Sequence, residues 1–384
     1  MKQLFIITCI GLASFLASCE KTLPLDIPDE ERWGITLNAV ATPDTTFRAY
    51  VTRSYSYSEE PQYCNSMTGE SLLNNYFIFY TDSYLPSYTG LEDIPDNKFH
   101  YSQTFRKNLK ESTLADARVE LIVNGENTSL MRYNENLLCF VSDYRPSAGD
   151  AIEVRIDHSE GGSTSAQTVV PQQQKLDILE VSRDMQAPEI VPILEDDFQG
   201  HIRMKLRLND PVEEKNYYQL RVKGIAPGPW YYKDSLNVYI EAFHSSDPIF
   251  RDERLTTSWG GWDAYFSDVF DDSLFDGESY TFYIDTYAFG GEGKITYEVS
   301  LQSITEDYYR YQKSLMLYRI SEFDSFSEGV YIHSNISNGW GILGAVCGEI
   351  HYIEIPSEVP EEMKRYFLSL RNIHKLFALT LQVF

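Results

Sequence analysis

The densest group of side chains able to do chemistry is Asp263, Asp268, Asp271, Asp272, Asp276 and Glu278, interleaved with Trp259, Trp262, Tyr265, Phe266, Phe270 and Phe275. Grouped carboxylates suit Ca²⁺, a hard cation that takes about six to eight oxygen ligands. Asp268, Asp271, Asp272 and Asp276 are the candidate ligands, although the EF-hand order D-x-[DN]-x-[DN]-G is missing. Paired acids also hydrolyse glycosides, but that needs two carboxyls at a defined separation across a cleft, which spacing along a loop does not establish. The plainer alternative is an acidic solvated loop with a few aromatics tucked into the core.

A second group is Trp230, Tyr231 and Tyr232, directly after Pro227-Gly228-Pro229. Neighbours on a strand point to opposite faces, so the three cannot all turn inward. Exposed aromatics supply large contact area at little entropy cost, which makes these residues, with Trp259 and Trp262, candidate ligand or partner contacts. Cover for an edge strand explains them equally well. A third candidate surface is the Tyr-, Ser- and Asn-rich segment 55–112, interrupted by Pro61, Pro86 and Pro95 and carrying Tyr76 to Tyr80 as its one apolar stretch. Long connections in compact domains are often functional. Tyr76 and Tyr80 join the candidates, against the alternative of a decorated loop with one extra strand.

Other catalytic signatures are missing. The sequence has neither HExxH nor GxSxG, so no zincin helix or nucleophile elbow is encoded by those motifs. Gly290-Gly291-Glu292-Gly293-Lys294 looks superficially like a phosphate loop, but Ala288 stands where its first glycine belongs and Ile295 where Ser or Thr would hold Mg²⁺. The seven histidines are scattered singly, and Cys64, Cys139 and Cys347 lack CxxC spacing. Each reads more simply as a satisfied or buried side chain than as a metal ligand.

The elements that must position these groups are mostly strands. Ile35, Leu37 and Ala39, then Phe47, Ala49 and Val51, alternate with polar residues at period two, and Ala117 to Val123 runs into the hairpin dipeptide Asn124-Gly125. Leu137 to Val141 and Ile152, Val154, Ile156 continue the series, and Gln167 to Val170 before Pro171 marks the end of a first domain. Ile202 to Leu208, Tyr218 to Val222, Val238 to Ile240, Tyr280 to Ile284, Tyr297 to Leu301 and Glu349 to Ile355 build a second. One helix interrupts it: Ser303 and Glu306 form a capping-box pair, and Tyr308, Tyr311, Leu315 and Tyr318 make a buried stripe within Asp307 to Arg319.

The fold expected is therefore mainly β: an N-terminal immunoglobulin-like β-sandwich over 33–172, with the 55–112 insertion, then a β-rich domain over 173–355 with one short helix. A tail over 356–384 has helical spacing at Met363, Phe367, Leu370 and His374, then alternation at Leu379, Leu381 and Val383. With 384 residues the chain exceeds the size at which one core stops growing, about 250–300 residues. Aromatics at 14% favour strands, and no run reaches the roughly 20 apolar residues that span a bilayer. The formal charge of −25 excludes nucleic acid as a partner, because binding to phosphates rests on Lys and Arg.

Residues 1–18 read as a secretory leader, with Lys2, an apolar run and small residues before Cys19. Leu16-Ala17-Ser18-Cys19 resembles the bacterial lipobox, which makes Cys19 the acylated first residue of the mature chain. An ordinary cleaved signal with an incidental cysteine is the alternative. Residues 19–32, with two prolines and five acids, read as a flexible tether. Acids soon after the acylated cysteine are similar, loosely, to surface-export signals of Bacteroidota lipoproteins.

Several segments together resemble the domain of unknown function 4249 family of Bacteroidota lipoproteins. They are Cys19, the strand after Trp33, Ala117-Arg118-Val119, Asn209-Asp210-Pro211 with Asn216-Tyr217-Tyr218, Phe275-Asp276-Gly277, Ser303 to Tyr309, and Ser334 to Gly339. The 55–112 insertion and the tail after Ile355 depart from the family pattern. The resemblance implies an outer-membrane lipoprotein often associated with TonB-dependent transporters, and no established catalytic residues. The expectation is a non-enzymatic, lipid-anchored accessory of nutrient uptake at the cell surface, with no cofactor beyond the lipid on Cys19. It would dock on a TonB-dependent β-barrel transporter or capture a glycan or peptide ligand. A structural or adhesive lipoprotein is the alternative, and a glycan-active enzyme the third.

Overall fold

The computed structural model describes residues 33–54, 109–184, 198–212, 214–227, 237–241, 243–255, 266–289, 293–322 and 330–357. From Gly34 onward these belong to one compact unit. The fold is mainly β, with one long helix among the described residues.

The largest sheet is nine-stranded. Its first members are β1 (Ile35–Ala41) and β2 (Arg48–Arg53), the hairpin of the early period-two pattern. A separate antiparallel sheet holds β3 (Arg118–Val123), β4 (Asn127–Leu130), β7 (Ala151–His158) and β8 (Gly162–Val169) in the order β4-β3-β7-β8. The β3–β4 turn is at Asn124 and Gly125, both at positive φ (54° and 72°), as that dipeptide permits. Between these come β5 (Arg132–Asn134) and β6 (Cys139–Val141), which extend β2 at the edge of the large sheet.

The later strands are β9 (Leu176–Asp184), β10 (Phe198–Asn209), β11 (Tyr217–Pro227), β12 (Asn237–Glu241), β13 (Val269–Asp271), β14 (Ser279–Phe289), β15 (Gly293–Ile304) and β16 (Trp340–Ser357). The large sheet runs β12-β11-β15-β16-β1-β2-β6-β5, with β13 also on β11, while β14-β10-β9 forms a third sheet. Inner faces of these last two sheets meet: Met204, Leu206, Phe282 and Ile284 pack on Tyr218, Leu220, Tyr297 and Val299. That is sheet-on-sheet packing, and its alternating pattern is why the strands read so clearly.

The expected boundary at 172/173 lies in the link between β8 and β9, and the large sheet draws strands from both sides of it. β1 pairs in parallel with the first third of β16, Thr36 opposite Trp340 through Ala41 opposite Ala345, and β15 pairs with the rest. Strands from both sides of residue 172 therefore share one hydrogen-bonded path. Both faces of this junction are covered, so even Thr36 and Asn38 of β1 are buried.

The helix α1 (Glu306–Glu322) covers β16 and β13 through Tyr308, Tyr311 and Leu315, the stripe expected, while Tyr318 is half-buried. Its start corrects the capping-box reading. Ser303 is inside β15, opposite Cys347, and its buried hydroxyl has no hydrogen-bond partner. Thr305 immediately precedes the helix, and its carbonyl accepts from Tyr309 N–H at 2.9 Å. The strand runs two residues further than the Ser-x-x-Glu spacing suggests, because its pairing with β16 wins.

Candidate functional site

The acids first considered together do not all meet. Pairing of β11 with β13, Tyr217 opposite Asp271 and Tyr218 opposite Phe270, brings the loop after β10 beside the loop after β13. Three carboxylates converge there: Asp210, Asp272 and Asp276, with one oxygen from each within 4.8 Å of the others. Asp210 and Asp272 are buried and Asp276 is exposed. Gly277 N–H donates to Asp210 at 2.8 Å, the buried Tyr218 hydroxyl donates to the same carboxylate, and Asn216 N–H donates to Asp272.

The other two expected ligands go elsewhere. Asp271 accepts from Ser273 N–H at 3.0 Å and lies 3.5 Å from the Lys215 ammonium. Asp268 accepts from the Gln219 amide at 2.8 Å, and its second oxygen is buried without a partner. Asp210 is 62 residues before Asp272 and was not among the expected ligands; its only sequence signal was the Asn209-Asp210-Pro211 segment of the family resemblance.

Electrostatics follow from the crowding. Burial raises the Asp272 carboxyl above the ordinary range, the Asn216 N–H opposes this, and the charges of Asp210, Asp271 and Asp276 push it further up. Tyr218 is also pushed well up, by burial and then by its bond to Asp210. The trio has the oxygen chemistry of a hard cation's ligands, but with one oxygen from each it would supply at most half of a calcium shell of about six to eight oxygens. Two of its members are already engaged with main-chain N–H groups, so water would have to complete the shell. Those engagements also leave little freedom for acid–base work by Asp210 and Asp272.

A second polar centre lies under α1. The Lys313 ammonium is buried 3.1 Å from Asp252, which also holds Arg254 through bonds of 2.9 and 2.8 Å. Burial lowers the Lys313 ammonium, partly offset by Asp252. Burial works to raise Asp252, but Arg254 and Lys313 prevail and hold its carboxyl well below the usual range. Tyr309, its ring 5.7 Å from the ammonium, is pushed up to about 12 by burial and then by Asp271 and Asp252. This cluster fastens the helix to the turn at 252–254. Among the described residues it offers no open position to a ligand that its charges do not already fill.

Cys19, Tyr76, Tyr80, Trp230, Tyr231, Tyr232, Trp259 and Trp262 lie outside the described residues. The places where their segments leave the sheet are described, and they differ. Segment 55–108 leaves from Ser54, beside Gly34. Segment 228–236 leaves from the end of β11, where Ile225 pairs with Thr296 and Thr296 with Glu354. Along β16 these levels, Trp340 and Glu354, are separated by about 45 Å of extended strand. Segment 256–265 is closed at its base by Arg251 opposite Phe266 and by Ser267 N–H donating to Phe250 at 2.8 Å. Cys139 and Cys347 are buried.

Asp210, Asn216 and Gly277, which with Asp272 bond the two loops together, come from the segments singled out by resemblance. Asp307 and Asn335 come from two more and also meet. His333 and Asp307 are 2.8 Å apart, and the Asn335 amide exchanges bonds of 2.9 and 3.0 Å with Leu343 of β16. A family model, described as Domain of unknown function (DUF4249), matches residues 88–347, about two thirds of the chain. A search of curated proteins finds no match.

Proposed function

This chain belongs to the family described as Domain of unknown function (DUF4249), and on that premise we propose that it is a non-enzymatic lipoprotein, acylated at Cys19 and held at the outer surface of the outer membrane. There it serves as an accessory or ligand-binding partner of a TonB-dependent nutrient transporter. The observation that carries the reading is Leu16-Ala17-Ser18-Cys19 behind an apolar leader, followed by 14 residues before the compact unit begins at Gly34. An acyl chain contributes about 0.8 kcal/mol per buried CH₂, so several chains on one cysteine hold firmly. The division of labour is then simple: lipid at one end, loops at the other.

The β11–β12 connection, bearing Trp230, Tyr231 and Tyr232, leaves the sheet far along β16 from the tether's point of entry. That distance supports a role for those aromatics away from the membrane. The N-terminal half is read as an immunoglobulin-like sandwich, supported by the sheet β4-β3-β7-β8 with Val119, Leu121, Val154 and Ile156 buried on one face. A non-catalytic role is supported by the internal engagements of Asp210 and Asp272.

The test is fractionation with metabolic labelling. Cys19→Ala is expected to abolish palmitate incorporation and release the protein from the outer membrane, and mild detergent extraction of the wild type is expected to recover it with a large β-barrel protein. Unchanged fractionation of the variant removes the anchor. A free monomer removes the transporter, and linear assemblies would replace it with the structural reading.

A further inference from the structure

The residue at which the tether joins the compact unit is packed against an exposed tryptophan. Gly34 donates its N–H to the Ser54 hydroxyl at 2.8 Å and accepts from Ser54 N–H at 2.8 Å, which ties the ends of β1 and β2 together. Across this knot lies the indole of Trp340, the first residue of β16 and the register partner of Thr36. A Cβ on Gly34 would stand 3.3 Å from its Nε1, so the indole covers the place where a side chain would be. Trp340 nevertheless remains 47% exposed.

We propose that this end of the sheet is the membrane-facing pole of the molecule, with the Trp340 indole resting in the headgroup region of the lipid surface to which Cys19 is fastened. The inference rests on the lipid-anchor reading and adds to it an orientation and a second point of lipid contact. Three observations carry it. First, the tether is short. Only 14 residues separate Cys19 from Gly34, which limits the distance of the unit's entry point from the surface to about 50 Å.

Second, the charge is right. Residues 34–36, 52–54 and 338–341, which form the three strand ends, contain no acid and one cation, Arg53, in a chain of net charge −25. These strand ends themselves present no carboxylate for anionic headgroups to repel. Third, the chemistry of the exposed group fits an interface. Indole presents a large apolar body and one N–H donor, which is why tryptophan concentrates where hydrocarbon meets headgroups.

The test uses the acylated full-length protein in phosphatidylcholine–phosphatidylethanolamine vesicles whose acyl chains carry bromine either near the headgroup or near the chain end. Bromine quenches tryptophan emission on contact. Every protein compared carries Trp33→Phe, the wild type at position 340 included, so that the indole next to Gly34 does not contribute. The expected result is quenching by the shallow bromines, little by the deep ones, and loss of the shallow component in Trp340→Phe. Trp340→Tyr, which keeps a larger polar-tipped ring over Gly34, is the second variant and is expected to lose the same component. Equal quenching of wild type and both variants overturns the inference, as does a wild type that floats with the vesicles without being quenched. A wild type that fails to float at all overturns the anchor reading first, so the two failures are told apart.

Discussion

Asp210 and Asp272 each accept a main-chain N–H from the loop that carries the other, Gly277 to Asp210 and Asn216 to Asp272. The exchange locks two loops that lie about sixty residues apart, and it holds buried carboxylates close together. A hydrogen bond to a charged acceptor contributes about 1.5–3 kcal/mol, enough to offset part of that crowding.

The crowding has a pH signature. Asp272 is raised in the folded state, so the folded protein takes up a proton there that the unfolded chain does not. Its contribution is fully present below the unfolded value and is lost as pH rises through the folded one. Asp268, raised by burial against Gln219 and Arg221, acts in the same direction. Asp177 and Asp252 are lowered and act only in stronger acid. Urea midpoints are therefore expected to rise on mild acidification from neutral pH, and less so in Asp272→Asn. A rise that is identical in the variant would assign the effect to other groups.

The Lys313 cluster predicts an asymmetry. Asp252→Asn leaves a buried ammonium facing a neutral amide and is expected to cost about 3–5 kcal/mol. Lys313→Met leaves Asp252 still bonded to Arg254 and fills the volume with an apolar chain, so its cost is expected to be smaller. Equilibrium denaturation of both variants checks the order.

Two glycines of β16 should differ in the same way. At Gly341, φ is +95° and a Cβ would drive into the Leu37 carbonyl of β1, so Gly341→Ala is expected to cost about 3 kcal/mol or more and loosen the β1–β16 pairing. At Gly344 the obstacle is the Tyr308 ring, 2.7 Å from the Cβ position, which must shift for a methyl to fit. Gly344→Ala should be the milder change in thermal melts, with loss of α1 packing visible in near-ultraviolet dichroism.

Ser303 separates two accounts of the helix start. As a cap its removal would cost about 1 kcal/mol. As a buried hydroxyl without a partner it contributes nothing by hydrogen bonding, and Ser303→Ala is expected to be neutral or stabilising. A loss of stability near that of a cap would restore the first account.

The same region shows what was legible in the sequence. The stripe Tyr308, Tyr311 and Leu315 reads directly, because spacing along a helix is local information. The strands Ile202 to Leu208 and Tyr297 to Leu301 read for the equivalent reason at period two. The start of β16 at Trp340 did not, since Gly339, Gly341, Gly344 and Gly348 look like turn residues in a row. In the fold they are small because Ile35, Leu37, Tyr308 and Leu301 press against them. The trio was half legible: Asp272 and Asp276 are neighbours in sequence, whereas Asp210 arrives through the β11–β13 pairing, which no local pattern encodes.

The parallel pairing of Ile35–Ala41 with Trp340–Ala345 has a consequence for biogenesis. A ribosome delivers the first of these strands about 300 residues before the second, and closing so long a loop is slow. A product that stops before Trp340 leaves Ile35, Leu37 and Ala39 along an unmatched edge. The sheet is closed only once Trp340 to Ala345 are in place.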